Sequence, residues 1–67
     1  VEYVIVNTKR KPWRYYTGTG FSDADTSSDA PEALKFDGIV AACVALRSRP
    51  DLYFVGWHVD IAKAHGA

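Results

Sequence analysis

At 67 residues, with eight basic and eight acidic side chains and a formal net charge of zero, the chain has room for one small domain and lacks the net basic footprint of a DNA-coating protein. Cys43 is the only cysteine, which excludes an intramolecular disulfide and fits a reducing compartment, so a cytoplasmic protein is expected. No apolar run approaches the roughly 20 residues that span a bilayer and no signal-peptide pattern is present, so no membrane partner is expected.

Residues 1–6, VEYVIV, are rich in β-branched side chains and are apolar on both alternating faces from Tyr3 to Val6. A strand of that kind lies in the middle of its sheet or is covered on both sides. Asn7 and Thr8 begin a turn, and the cations Lys9, Arg10 and Lys11 fill the loop near residues 8–12. Pro12 suits a strand start, and the aromatic and β-branched content of residues 13–17, WRYYT, predicts a second strand that closes a hairpin with the first. Gly18 and Gly20 end that strand in a turn needing positive φ. Residues 22–30 are an acidic surface loop, and Asp29, Pro31 and Glu32 suit the start of a short helical turn. Leu34 and Phe36 then dip back toward the core.

Asp37 offers an N-cap for the main helix over residues 38–48. Ile39, Cys43 and Leu46 fall at i, i+4 and i+7 and are expected to face inward, with Cys43 a small buried hydrophobe. Arg47 and Arg49 favour the C-terminal end of the helix dipole, and Pro50 stops the helix by Arg49. Residues 52–59, LYFVGWHV, read as the third strand, with Leu52, Phe54, Gly56 and His58 on one face and Tyr53, Val55, Trp57 and Val59 on the other. The tail, residues 60–67, adds a frayed helical turn.

The expected fold class is α+β: a single domain over residues 1–67 in the order β-β-α-β, with a three-stranded antiparallel sheet of order 2-1-3 and one main helix on one face. One helix covers one face of such a sheet. The other face would carry Tyr3, Ile5, Trp13, Tyr15, Tyr53, Val55 and Trp57, a patch that water disfavours and that marks an interface. Three arrangements satisfy it: two sheets packed in a homodimer, the acidic loop folded over, or a docked partner.

Motifs with chemistry are scarce. Gly18-Thr19-Gly20 has neither the third glycine of a dinucleotide fingerprint nor a following Gly-Lys-Ser/Thr, so it is read as a turn. Asp23, Asp25, Ser27 and Asp29 share the alternate spacing of a calcium loop, but Ser28 stands where the loop needs glycine and Leu34 where it needs glutamate. That run is read as an acidic loop that caps the following helix. His58, Asp60 and His65 could in principle share a metal, yet nothing in the sequence fixes His65. No pair of side chains has a spacing that forces acid–base or nucleophilic groups together, so no enzyme, no metal and no cofactor are expected.

The run "YYTGTGFS", followed after an acidic gap by "ALKF", resembles small proteins encoded by phages and prophages, compact hairpin–helix–strand domains. That resemblance implies an inhibitor of a host defence system of the anti-CRISPR kind, acting in the host cytoplasm on a larger protein or ribonucleoprotein complex. The residues themselves place a partner-binding surface on Lys9, Arg10, Lys11, Trp13, Arg14, Tyr15, Tyr16 and Trp57, because Trp, Tyr and Arg are the types enriched where interfaces concentrate their energy. The alternatives are a single-stranded nucleic-acid module that uses the same basic-aromatic hairpin, and a homodimeric structural protein.

Overall fold

In the computed structural model, which describes residues 1–9, 11–18, 26–49 and 56–66, the β-branched start of the chain forms the central strand β1, Tyr3–Asn7. β2, Arg14–Tyr16, and β4, Trp57–Ile61, flank it, both antiparallel, and the short β3, Thr26–Ser27, pairs with the outer edge of β2. The sheet therefore has four strands in the order β3-β2-β1-β4. The expected order of the three longer strands holds, and the expected count of three is corrected by β3. That strand is two polar residues in an acidic stretch, too short to show the alternation that marks a strand. It is held instead by register, Tyr15 opposite Ser27 and Tyr16 opposite Thr26.

The central position of β1 accounts for its apolar pattern. Val4, Ile5 and Val6 are fully buried, and their side chains alternate between two separate layers. On the Ile5 side lies α1, Ile39–Arg47, whose Leu46 packs with Ile5 and Trp57, backed by Tyr16, Phe36, Ala45 and Val59. On the Val4 and Val6 side, Tyr15 meets Ala30 and Ala33 from a 3₁₀ turn, Ala30–Glu32 with its C-cap, and Ala62 from a second 3₁₀ turn, Ala62–His65. The second face is thus covered by the chain itself: the segment after the acidic loop and the tail fold over it. Tyr3, Ile5 and Trp57 stand on the helix side and Tyr15 on the other, so the expected single aromatic face does not exist among the described residues. Tyr53 and Val55, with Leu52 and Phe54, lie outside the described residues.

The edge of β1 that β2 leaves free is satisfied locally. Tyr3 and Phe36 exchange both backbone hydrogen bonds at 2.8 Å, and Leu34 N–H donates to the Tyr16 carbonyl at 2.9 Å. Phe36 accordingly reaches the core, whereas Leu34 is exposed, contrary to expectation. The chain leaves β2 through Gly18 at φ +82, where a Cβ would stand 2.8 Å from Leu34 Cδ2. That methyl ends an exposed, flexible side chain that can move aside, so the turn needs glycine for its positive φ.

Two expectations for α1 are corrected. Gly38, not Asp37, holds the N-cap position, and no side chain caps the helix there. Ala42 and Leu46 are the buried residues, while Ile39 and Cys43 are exposed. The sheet presents bulky Trp57, Ile5 and Tyr16 to the helix, and small Ala42 and Ala45 leave room for them. Among the described residues, no helix is long and apolar enough to cross a membrane.

Candidate functional site

The site is built where the hairpin loop, the first 3₁₀ turn and the tail converge. Asn7 Oδ1 accepts the Lys9 N–H at 3.0 Å, which turns the chain out of β1. The Lys11–Pro12 peptide is cis, and Trp13 directly precedes β2. The two-residue period then puts Trp13 on the same side as Tyr15, away from α1. Facing them, Ser27 Oγ organises the next turn. It accepts the Asp29 N–H at 3.0 Å and lies 3.2 Å from Glu32 Oε2, so the hydroxyl rather than the Asp29 carboxylate shapes the start of the 3₁₀ turn.

His65 forms the floor. The sequence offers nothing to fix this residue, yet its side chain is only 4 % exposed and is held from every direction. Its Nε2 lies 2.9 Å from Asp60 Oδ2, and its Nδ1 lies 3.0 Å from Tyr15 Oη. An ionised carboxylate can only accept, so Nε2–H donates to Asp60, and Nδ1 of the neutral ring accepts the Tyr15 hydroxyl proton. The rings of Trp13 and Tyr15 meet the imidazole edge-on, with centroids at 5.3 Å and 5.5 Å. Gly66 ends the turn in the left-handed region at φ +78, its N–H bonded to the Lys63 carbonyl at 3.2 Å.

Electrostatics follow from these contacts. The hydrogen bond from His65, then that from the Ile61 backbone N–H, holds the Asp60 carboxyl below its ordinary value of 3.8. Burial, then the nearby Asp60 charge, pushes the Tyr15 phenol above 10.0. A hydroxyl–imidazole–carboxylate chain has the outline of an activated nucleophile, the hydroxyl beside a base that a carboxylate orients. Here Tyr15 is buried, and the two hydrogen bonds tie the C-terminal turn to β2 and β4.

The result is an open depression of about 390 Å³, lined by residues 11–13, Tyr15, residues 28–31 and His65. Lys11, Pro12 and Trp13 line it from the hairpin, and Asp29 and Pro31 from the segment after β3. Of the residues expected to bind a partner, Lys11, Trp13 and Tyr15 meet here, Tyr15 as a buried wall. Lys9 lies instead along Gly56, where a Cβ would stand 2.8 Å from its Cδ. The Arg14 guanidinium reaches Thr26 Oγ1 at 3.5 Å, and Tyr16 lies on the helix side beneath Arg49, whose guanidinium is 5.7 Å from the ring centre. Trp57 is buried in the layer under α1, so it does not join Trp13 and Tyr15. Arg10, Gly20, Asp23 and Asp25 lie outside the described residues.

His65 and Asp60, weighed from the sequence only as possible metal ligands with His58, and Asp29, read there as the start of a helical turn, are site residues that the sequence does not bring together with Tyr15. Tyr15 and His65 are 50 positions apart, and only the tertiary fold makes them neighbours. Comparison of the chain with protein-family models, with curated proteins and with solved structures found no match.

Proposed function

We propose that the chain is a small non-enzymatic binding protein that occludes a surface of a larger protein partner by taking an extended segment of it into the depression. The observation that carries this reading is Trp13, which is 38 % exposed at the rim while its ring is set edge-on against the buried His65. An aromatic side chain already held in place loses little freedom on binding, and tryptophan is the residue type most enriched at the centre of interfaces. Lys11 and Asp29, contributed by different segments to the lining, favour a partner with both signs of charge. Pro12, Pro31 and Trp13 suit an extended backbone, the form in which aromatic-lined grooves take peptides. The burial of Tyr15, which keeps its hydroxyl from a substrate, supports a non-enzymatic role.

The resemblance to small phage proteins supports an inhibitor whose partner is a host defence complex, protein or ribonucleoprotein, met in the host cytoplasm. The exposed, unpaired thiol of Cys43 suits that reducing compartment. A display selection of random peptides against the protein and against its Trp13→Ala variant tests the reading. A shared sequence enriched on the wild type alone is expected. Equal enrichment on both proteins, or none on either, overturns it.

A single-stranded nucleic-acid reading is favoured by one observation, the exposure of Lys9, Lys11 and Arg14 on the hairpin that carries Trp13. It requires oligonucleotide binding that weakens steeply with added salt. The protein-partner reading requires no oligonucleotide binding even at low salt.

A further inference from the structure

We propose that the outer edge of β4 is a self-pairing surface, on which β4 of a second copy of the chain adds antiparallel about a two-fold axis at Val59, joining the two sheets into one. The Ala62 N–H donates to the Glu2 carbonyl at 2.9 Å, which fixes the phase of the β1–β4 ladder. Hydrogen-bonded pairs alternate along an antiparallel ladder, so Val4–Asp60 and Val6–His58 are the bonded pairs. The backbone groups of Trp57, Val59 and Ile61 therefore point away from β1. Among the described residues none bonds the Val59 N–H or carbonyl, and the Ile61 N–H is held by the Asp60 side chain, Oδ1 accepting at 2.8 Å. This five-residue strand has neither the lysine nor the proline that blunts an edge, and its Ile61 is 45 % exposed.

The side chains identify the occupant. Outward backbone groups must face outward ones, so a two-fold axis can fall at residue 57, 59 or 61. Only the axis at Val59 engages the whole strand, because β4 begins at Trp57 and the 3₁₀ turn begins at Ala62. It sets Val59 against Val59 of the second copy, and it sets Trp57 against Ile61 and His58 against Asp60, each twice. Val59 and Trp57 lie on the α1 side of the sheet with Ile5, and Ile61 shares that side by the two-residue period, so apolar meets apolar there. On the opposite side His58 is exposed, and Asp60 keeps 43 % of its side chain exposed despite its bond to His65. Donor thus meets acceptor at a non-hydrogen-bonded position of the new ladder, where opposed side chains stand closest. The Ile61 N–H passes from Asp60 Oδ1 to the Trp57 carbonyl of the second copy, and Oδ1 accepts the second copy's His58 N–H instead. An unrelated extended chain satisfies the backbone equally, but this chain reversed also supplies Asp opposite His58 and His opposite Asp60. None of the residues lining the depression belongs to β4, so this surface is separate from the one that holds Trp13. A pair of five-residue strands falls at the small end of specific interfaces, and the association is reversible and concentration-dependent.

Sedimentation of the intact chain from about 5 to about 500 µM, with amide hydrogen exchange at both ends of that range, tests this, since small interfaces populate a dimer only toward the upper limit. The expected result is a monomer that becomes a dimer, with the Val59 N–H exchanging freely when dilute and protected when concentrated. Val59→Pro removes an outward donor and leaves the β1 ladder its bonds, so it is expected to remain monomeric. His58→Asp sets carboxylates opposite one another and should weaken the dimer by roughly threefold to tenfold, whereas His58→Lys should retain it. In a concentrated mixture of labelled and unlabelled copies, an intermolecular nuclear Overhauser effect is expected between His58 Hα and Asp60 Hα, which only this register brings face to face. A monomer throughout the range overturns the proposal, as does a dimer whose Val59 N–H still exchanges freely or whose intermolecular Overhauser effects pair other residues. A dimer insensitive to Val59→Pro, as tight with His58→Asp as without it, or lost with His58→Lys overturns it equally. Far-UV circular dichroism of each variant reports whether the fold is retained, and the wild-type sedimentation, exchange and Overhauser results stand without any variant.

Discussion

His65 is held by partners of opposite hydrogen-bonding character, the acceptor Asp60 at Nε2 and the donor Tyr15 at Nδ1. Each partner gives the fold a pH dependence with its own sign. Asp60 has a folded pKa below its ordinary 3.8, so the unfolded chain binds its proton more readily. The stability it contributes is present above that ordinary value and is lost as pH falls through the folded one. Tyr15 has a folded pKa above 10.0, so the folded chain keeps its proton longer. That stability is complete below pH 10.0 and is lost as pH rises through the folded value. Melting temperature followed against pH should therefore fall at both ends, with Asp60→Asn removing part of the acid limb and Tyr15→Phe part of the alkaline limb. Tyr15→Phe also leaves Nδ1 without its donor, at a cost of about 1–2 kcal/mol near neutral pH. Equal pH profiles for Tyr15→Phe and the wild type would show that the phenol does not titrate with unfolding. At the same scale, Gly18→Ala places a side chain at φ +82 and should cost about 1 kcal/mol or more in denaturant unfolding. The turn role of Gly18 was legible in the sequence from the glycine that ends an aromatic strand. The role of His65 was not, because Tyr15 lies 50 positions away and Asp60, five positions before it, meets it only across the bend from β4 into the 3₁₀ turn.

At the scale of the element, α1 shows what sequence periodicity resolves. Its existence and its bounds follow from IVAACVALR and the proline beyond it, and the observed helix, Ile39–Arg47, lies inside the expected residues 38–48. Its rotation about its own axis does not follow. Residues 39–46 are apolar all round, so no hydrophilic face opposes a hydrophobic one and the pattern carries little directional contrast. The sheet decides, because Trp57 and Tyr16 fill the interlayer space and admit small Ala42 and Ala45 beside one large residue, Leu46. Mutations should report that rotation directly. Leu46→Ala should cost about 2–4 kcal/mol in urea unfolding, as for a buried leucine whose cavity cannot fully collapse. Ile39→Ser, at an exposed position, should fall within about 1 kcal/mol of the wild type. The reverse ranking would place the Ile39–Cys43 side of the helix against the sheet.

The whole molecule is a sheet covered twice, by a helix on one side and by two 3₁₀ turns on the other. The first cover was legible, because nine helical residues between strands must lie on the sheet. The second was not: the expected self-cover was the acidic loop, whereas the cover is the turn that follows it and the tail, and APEA and AKAH contain neither a period nor a large apolar residue. Alanine at 30, 33 and 62 contributes by being small: it lets the backbone of each turn lie close over Val4, Val6 and Tyr15. The C-terminal turn then joins the sheet through the Ala62 N–H to the Glu2 carbonyl at 2.9 Å, and through His65 to Tyr15 and Asp60. Stability and the candidate site thus depend on the same few tail residues. Deleting residues 62–67 should uncover Val4, Val6 and Tyr15 and free Trp13 from its contact with His65. In a domain this small, where the margin of stability is about 5 kcal/mol or less, losing one of two covers should abolish cooperative unfolding rather than lower its midpoint slightly. The truncated chain should bind 8-anilinonaphthalene-1-sulfonate and shift its tryptophan emission to the red. His65→Ala in the full chain should retain a cooperative transition at lower temperature, because Ala62 still covers the sheet. If the truncated chain unfolds with the wild-type midpoint and binds no dye, the tail is not a cover, and Trp13 would have to be held by the hairpin alone.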